Sequence, residues 1–227
     1  MRFRLVLAYD GTRYAGFQRQ DNALAVQNLI DAELSKLFAA PIQTVYSGRT
    51  DSGVHADGQV LAFDAEPRRF PLDRAAFILN HGLPREIRVL SCEPVPPDFH
   101  PRYNATVRLY RYRLLSRLAP SAYSVADQAR AWDPGFELDP ALLARHLEPL
   151  VGAHDFTTFC SVKDPSPSKV RELFRIDAWR DRLVVNLDLW GNAFLRNQVR
   201  SIVGNLVQGV KRGEPVGRQR VRGCLSG

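Results

Sequence analysis

The sequence predicts an α+β fold made of two tandem ferredoxin-like, split β-α-β units with antiparallel sheets. Three observations lead to it. Apolar residues alternate over 3–9 and then recur at helical spacing over 26–37, so the chain opens as a strand followed by a helix. Two short strands, a helix and a strand come next, and the β-α-β-β-α-β order repeats as β-α-β-β-α from Asn104 onward. Between the two passes, "PVPPDFHP" at 94–101 has the prolines of an extended linker. The expected domains are therefore residues 1–101 and 102–227.

In the first unit, Phe3, Leu5, Leu7 and Tyr9 share one face of the opening strand, and Val26, Ile30, Leu34 and Leu37 form the stripe of the helix. Strands are expected near 43–47 and 59–65, a helix near 72–80 and a strand near 86–92. The second unit should hold a strand over 104–115, a helix over 139–151, a hairpin at 172–179 and 182–190, and a helix over 194–210. That last helix buries Leu195, Val199, Ile202, Val203, Leu206 and Val210. The strand that would close the second unit is missing from the pattern, which ends in "KRGEPVGRQRVRGCLSG".

At 227 residues the chain is long enough to bury a good core, and 45% hydrophobic with 24% charged residues is a globular balance. No apolar run approaches the roughly 18 to 20 residues of a membrane helix. The N-terminus alternates like a strand and lacks a small-residue cleavage site, so a cytoplasmic protein without a membrane segment is expected. Cys92, Cys160 and Cys224 are odd in number and far apart. The histidines, at 55, 81, 100, 146 and 154, show no ligand spacing either, so no metal is expected. A net charge of +7 points to a polyanionic partner, since each phosphate neutralised releases counterions.

Three segments can carry chemistry. "YSGRTDSGVHADGQV" at 46–60 sets the lone carboxylate Asp51 between Arg49 and His55, with Gly48 and Gly53 able to supply positive φ. Asp-Ser-Gly is also ordinary turn chemistry. In "NATVRLYRYRL", Arg108, Tyr110 and Tyr112 share one strand face and Ala105, Val107 and Leu109 the other. The second set is expected to be core and the first a basic aromatic face of the kind that stacks RNA bases. For Tyr112, the preference of tyrosine for strands is an equal explanation. In "FLRNQVRSIVGNLVQGV", Arg196 falls at the margin of the buried stripe and Arg200 on its flank. A guanidinium there either finds a carboxylate or carbonyl or snorkels to water. Arg111, Arg113, Arg171, Lys211 and Arg212 are candidates for phosphate contacts.

These segments, together with "YDGTRYAGFQRQ" at 9–20, "FHPRYNATVRLYRYRL" at 99–114 and "GAHDFTTF" at 152–159, resemble the tRNA pseudouridine synthase A family. The resemblance implies the pseudouridine synthase fold, in which two ferredoxin-like halves have sheets meeting at a basic central cleft. It implies isomerisation of uridine to pseudouridine in the anticodon stem-loop of tRNA, at tRNA positions 38, 39 and 40, by a homodimer with no cofactor and no metal. Asp51 falls on the family's catalytic aspartate, and Arg49 on the arginine implied to help admit or hold the flipped base. Tyr110 falls on the tyrosine that packs against the target base and Arg200 on the arginine that pairs with the catalytic carboxylate. Tyr9, Gln18, Gln59, Arg102 and Arg171 match further positions with substrate or cleft roles. Arg108 and Tyr112 join them as substrate-binding candidates, and His55 is expected to be structural. The sequence departs from the family at Pro101, usually alanine, and Val199, usually methionine, and its end lacks the family's Thr-Ala-Pro segment and closing strand.

The implied reaction breaks the N1–C1′ bond, turns the uracil and rejoins it through C5. Asp51 would act ionised, as nucleophile at C1′ or C6 or as base at C2′, and the Tyr110 hydroxyl is the candidate by position for taking the C5 proton. A non-catalytic RNA-binding or RNA-chaperone protein of the same fold is the alternative. A hydrolase or nuclease is disfavoured because no second carboxylate or metal cluster accompanies Asp51.

Overall fold

The alternation of the N-terminal strand is realised in a computed structural model that describes residues 1–66, 72–116 and 124–213. The segment "GRQRVRGCLSG", Cys224 and the question of the closing strand lie outside the described residues. Compact units form on either side of Ala105 and Thr106.

The first unit runs β1 (Arg2–Tyr9), α1 (Val26–Phe38), β2 (Val45–Tyr46), β3 (Ala56–Asp64), α2 (Ala75–Gly82) and β4 (Ile87–Val95). Its sheet has the order β2-β3-β1-β4 with every pair antiparallel. Phe3, Leu5, Leu7 and Tyr9 point into one core with Val26, Ile30 and Leu34, because strand period and helical period bring those positions to facing surfaces. Phe38 takes the buried place at the end of the α1 stripe, tilted against Phe3 and edge-on to Phe63, and Leu37 is only partly buried. The proline-rich segment does not begin as a linker, because β4 continues through Pro94 to Val95. Pro94 is tolerated there since β4 is an edge strand of this sheet.

The second unit runs β5 (Arg108–Leu115), α3 (Val125–Arg130), α4 (Pro140–Leu147), β6 (Gly152–Asp155), β7 (Val170–Asp181), β8 (Val184–Gly191) and α5 (Gln198–Arg212). The antiparallel order β5-β8-β7-β6 is the ferredoxin-like arrangement with an added edge strand, β6, which the sequence pattern did not reveal. Asp139 caps α4 by accepting from the Ala141 N–H, with Pro140 in the first turn. The expected strand over 104–115 starts only at Arg108.

The faces of β5 are the reverse of the expected ones. Tyr110, Tyr112 and Leu114 lie opposite Leu189, Leu187 and Val185 and pack against the core that holds Leu143, Ile202 and Val203. Val107 and Leu109, expected in the core, are 49% and 50% exposed. On their side of the sheet, Arg111 forks onto Asp188 at 2.7 and 2.8 Å, and Trp179 Nε1 donates to the same carboxylate at 3.0 Å. Arg113 meets Asp127 at 3.0 Å. Both arginines, read as candidate phosphate contacts, thus have carboxylate partners within the fold. The outer edge of β5 is occupied at its C-terminal end: Trp132 N donates to Arg113 O at 2.9 Å and Leu115 N to Trp132 O at 2.8 Å.

The last helix begins later than its apolar stripe. Asn197 adopts φ 63°, so Leu195 and Arg196 precede α5 and the helical-face argument for Arg196 does not hold. Val199, Ile202, Val203 and Leu206 are buried as expected, joined by Val207, whereas Val210 is only partly buried.

Candidate active site

The loop from Ser47 to His55 is held from both sides by residues the sequence had singled out. Gln59, buried on β3, accepts from Ser47 Oγ at 2.8 Å and donates to Gly48 O at 2.5 Å. Tyr9, buried at the end of β1, shares a hydrogen bond with Thr50 Oγ1 at 2.7 Å, and Phe17 N donates to Thr50 O at 3.1 Å. Tyr14 O accepts from Ser52 Oγ at 3.2 Å and Gly53 N at 3.4 Å, while Val54 N closes a turn on Asp51 O at 3.1 Å. Gly53 supplies positive φ at 77°, and Gly48 does not.

Two further glycines explain why the 9–20 and 48–60 segments belong together. A Cβ on Gly11 would stand 2.0 Å from Val54 O, and one on Gly16 would stand 2.8 Å from Thr50 O. Only residues without side chains let these backbones touch. His55 adds a tie, with Nδ1 3.3 Å from Gly11 N and 3.2 Å from Asp10 Oδ1.

Around this scaffold Asp51 is half-buried, and its carboxylate accepts no side-chain hydrogen bond or ion pair from the described residues of its own unit. Arg49 is exposed, and its Nη1 donates to Gln18 Oε1 at 3.3 Å. Burial raises the hydroxyl pKa of Tyr46, while the positive charges of Arg49 and Arg102 act against that rise. The first unit thus gathers Tyr9, Gln18, Arg49, Asp51, Gln59 and Arg102 around one loop.

The second unit holds the other candidates. Tyr110 meets Phe194 edge-on with ring centres 4.8 Å apart, and Tyr112 meets Trp132 at 6.4 Å. Burial pushes the Tyr112 hydroxyl upward against the charge of Arg200, which stands exposed in the first turn of α5. Tyr110, Tyr112 and Arg200 therefore sit in one part of this unit. Arg108 donates to Asn192 O, and Arg171 donates to Ser168 O at 3.0 Å and Val170 O at 2.6 Å.

Sequence reasoning missed Asp164. Its carboxylate accepts from Arg196 N at 2.6 Å, Ser166 N at 2.8 Å and Lys169 Nζ at 3.0 Å, tying the 161–169 loop to the entry of α5. Burial opposes its ionisation, yet these donors outweigh it and hold the carboxyl well below the usual range. The only sequence signal was a turn-like "KDPSPSK", which does not say what the carboxylate would bind.

A sequence model of the family described as tRNA pseudouridine synthase matches residues 5–104 and 147–219, a span that includes Asp51 and Arg200. The chain belongs to this family. It is 39% identical over 206 residues to tRNA pseudouridine synthase A of Paramagnetospirillum magneticum, covering 90% of this chain and 79% of that one. It is 40% identical over 209 residues to tRNA pseudouridine synthase A of Brevibacillus brevis, covering 91% of this chain and 83% of that one. The corresponding protein of Halalkalibacterium halodurans is 38% identical over 208 residues, covering 91% of this chain and 78% of that one. As a tRNA pseudouridine synthase, the protein is an isomerase that binds tRNA and converts uridine in it to pseudouridine. Its two units of antiparallel sheet and helices are those of the pseudouridine synthase fold. Among the described residues, no group of three or more His, Cys, Asp or Glu could hold a metal ion, and no helix is long and apolar enough to cross a membrane.

Proposed function

We propose that Asp51 is the catalytic carboxylate and that the target uridines lie in the anticodon stem-loop, at tRNA positions 38, 39 and 40. The observation that carries the Asp51 assignment is the contrast at the loop: its backbone is fixed by Tyr9, Tyr14, Phe17 and Gln59, while the Asp51 carboxylate is left without a partner from the described residues of its own unit. A turn aspartate ordinarily spends its carboxylate on nearby backbone N–H groups, as Asp10 does on Thr12 and Asp155 on Thr157.

The target base leaves its stack to reach the aspartate, at a cost of a few kcal/mol. Arg49 helps to admit and hold it, and Tyr110 packs against it, with its hydroxyl available to take the C5 proton. Asp51 reacts in its ionised form, whether at C1′, at C6 or at the C2′ proton, and Arg200 is the proposed cation that pairs with its carboxylate. The N1–C1′ bond breaks and a C5–C1′ bond forms, while C5 loses a proton and N1 gains one. Atoms and electrons therefore balance without a cofactor. Tyr9 and Gln59 hold the loop, and Gln18, Arg102, Arg108, Tyr112 and Arg171 serve substrate binding. The protein acts in the cytoplasm as a homodimer.

Incubation with unmodified tRNA carrying tritium at uridine C5 tests the assignment. Release of label from positions 38, 39 and 40 without chain cleavage is expected. Release from other uridines would overturn the stem-loop assignment, and tight binding without any release would favour the RNA-binding or chaperone reading.

A further inference from the structure

We propose that the depression beside the Asp51 loop is a subsite for one backbone phosphate of the RNA strand near the target uridine, with Arg19 as its anchored cation. The proposal rests on the catalytic reading of Asp51. The depression holds about 220 Å³ and is lined by Ala15, Gln18, Arg19, Gln20, Arg49 and Thr50. This lining offers two guanidinium groups, two carboxamides and a hydroxyl, and it contains no carboxylate. Thr50 adjoins Asp51 in the chain, so an occupant sits next to the reactive loop.

Arg19 is fixed from below by a buried polar network. Its Nη1 donates to Asp31 Oδ2 at 2.8 Å, with the Asp31 side chain 9% exposed and that of Arg19 37% exposed. The other oxygen of Asp31 accepts from Thr44 N at 3.1 Å and Thr44 Oγ1 at 2.7 Å. The backbone N–H of Arg19 donates to Gln27 Oε1 at 2.9 Å, and buried Gln27 donates in turn to Thr44 O at 2.8 Å. A guanidinium has five N–H donors, and Asp31 uses one at normal distance. Gln43 Oε1 stands 3.5 Å from Nη2, a weak contact. Donors therefore remain for the open side, already oriented, and a pre-oriented fork loses less freedom on binding.

The occupant these groups fit is compact, anionic and rich in acceptors. A phosphodiester has one negative charge and two acceptor oxygens that match a guanidinium fork. A nucleobase would need a stacking face, and the lining contains no aromatic ring. RNA is favoured over an acidic protein because the chain binds tRNA.

The test uses tRNA stem-loops with C5-tritiated target uridine and a single neutral methylphosphonate linkage, placed in turn at each phosphate flanking the target. With the unaltered protein, one linkage position should lower kcat/KM and affinity by roughly tenfold, the loss of one charge-assisted hydrogen bond. Arg19→Gln should cause a similar loss on the all-phosphate RNA and no further loss at that one linkage. Arg19→Lys, which keeps the charge without the fork, should recover part of it. Equal sensitivity of Arg19→Gln and unaltered protein at every linkage would overturn the subsite, as would insensitivity of the unaltered protein to all linkages. If Asp51→Asn released tritium as fully as the unaltered protein does, the Asp51 reading would fall, and the same affinities would still decide the subsite.

Discussion

The two units share an architecture but use the outer faces of their sheets differently. In the first sheet, Arg4 and Glu93 pair across β1 and β4 with both side chains nearly half exposed. In the second, the equivalent outer layer is drawn partly inside: Asp188 is 4% exposed, holds Arg111 and Trp179, and lies on a strand buried from Val184 to Leu189. Burial raises the Asp188 carboxyl, but the hydrogen bonds from Arg111 and Trp179 outweigh it and leave the group below its ordinary value. A sheet with one polar face announces itself by alternation, whereas a central strand covered on both faces does not.

The comparison can be broken most strongly at β5. Leu114→Ala should remove about 2–4 kcal/mol of stability to urea, as for a fully buried leucine, while Leu109→Ala should change it by less than about 0.5 kcal/mol. Equal effects would mean that the faces of β5 are wrongly assigned. Asp188→Ala should cost about 2 kcal/mol, because it strands Arg111 and Trp179, against less than about 1 kcal/mol for Glu93→Ala at the exposed pair.

Acid should sharpen the same contrast. Asp164 and Asp188 have carboxyls held below the ordinary aspartate value, so the folded state binds fewer protons than the unfolded one. Their stabilisation is present above the unfolded pKa of about 3.9 and is lost as pH falls through the lower folded values. Asp31 in the first unit is shifted the other way by burial, so acidification favours the folded form there. Amide exchange followed from pH 5 to pH 2 should show the second unit losing protection first, and Asp164→Asn should reduce that pH dependence.

Most of the elements of both units were legible in the sequence because Phe3 to Tyr9 and Ile202 to Leu206 follow one period each over a full element. Tyr110 and Tyr112 misled because tyrosine can serve as core or surface, and the register against Leu189 and Leu187 decides which. β6 was hidden by its four residues, too few for alternation to register. The Asp51 loop was legible as a candidate from its motif, and the structure adds how Gly11 and Gly16 seat it. Asp164, Asp31 and Gln27 stayed hidden because their partners lie far away in sequence or on the backbone, where residue type gives no signal.

Removing the charge of Arg200 should be milder than removing that of Asp51. Under the proposed pairing of Arg200 with the catalytic carboxylate, Arg200→Ala should lower kcat for tritium release by roughly tenfold or more and leave tRNA affinity within about threefold.

The most direct measurement is tritium release from C5-labelled tRNA by Asp51→Asn, with tRNA affinity and urea stability measured on the same preparation. This substitution keeps the shape of the turn and removes its charge, and Asn and Asp are near-equivalents in turns. The account predicts unchanged stability, affinity close to that of the unaltered protein and no detectable pseudouridine. Full release by Asp51→Asn would contradict it and leave Asp51 as an ordinary turn residue.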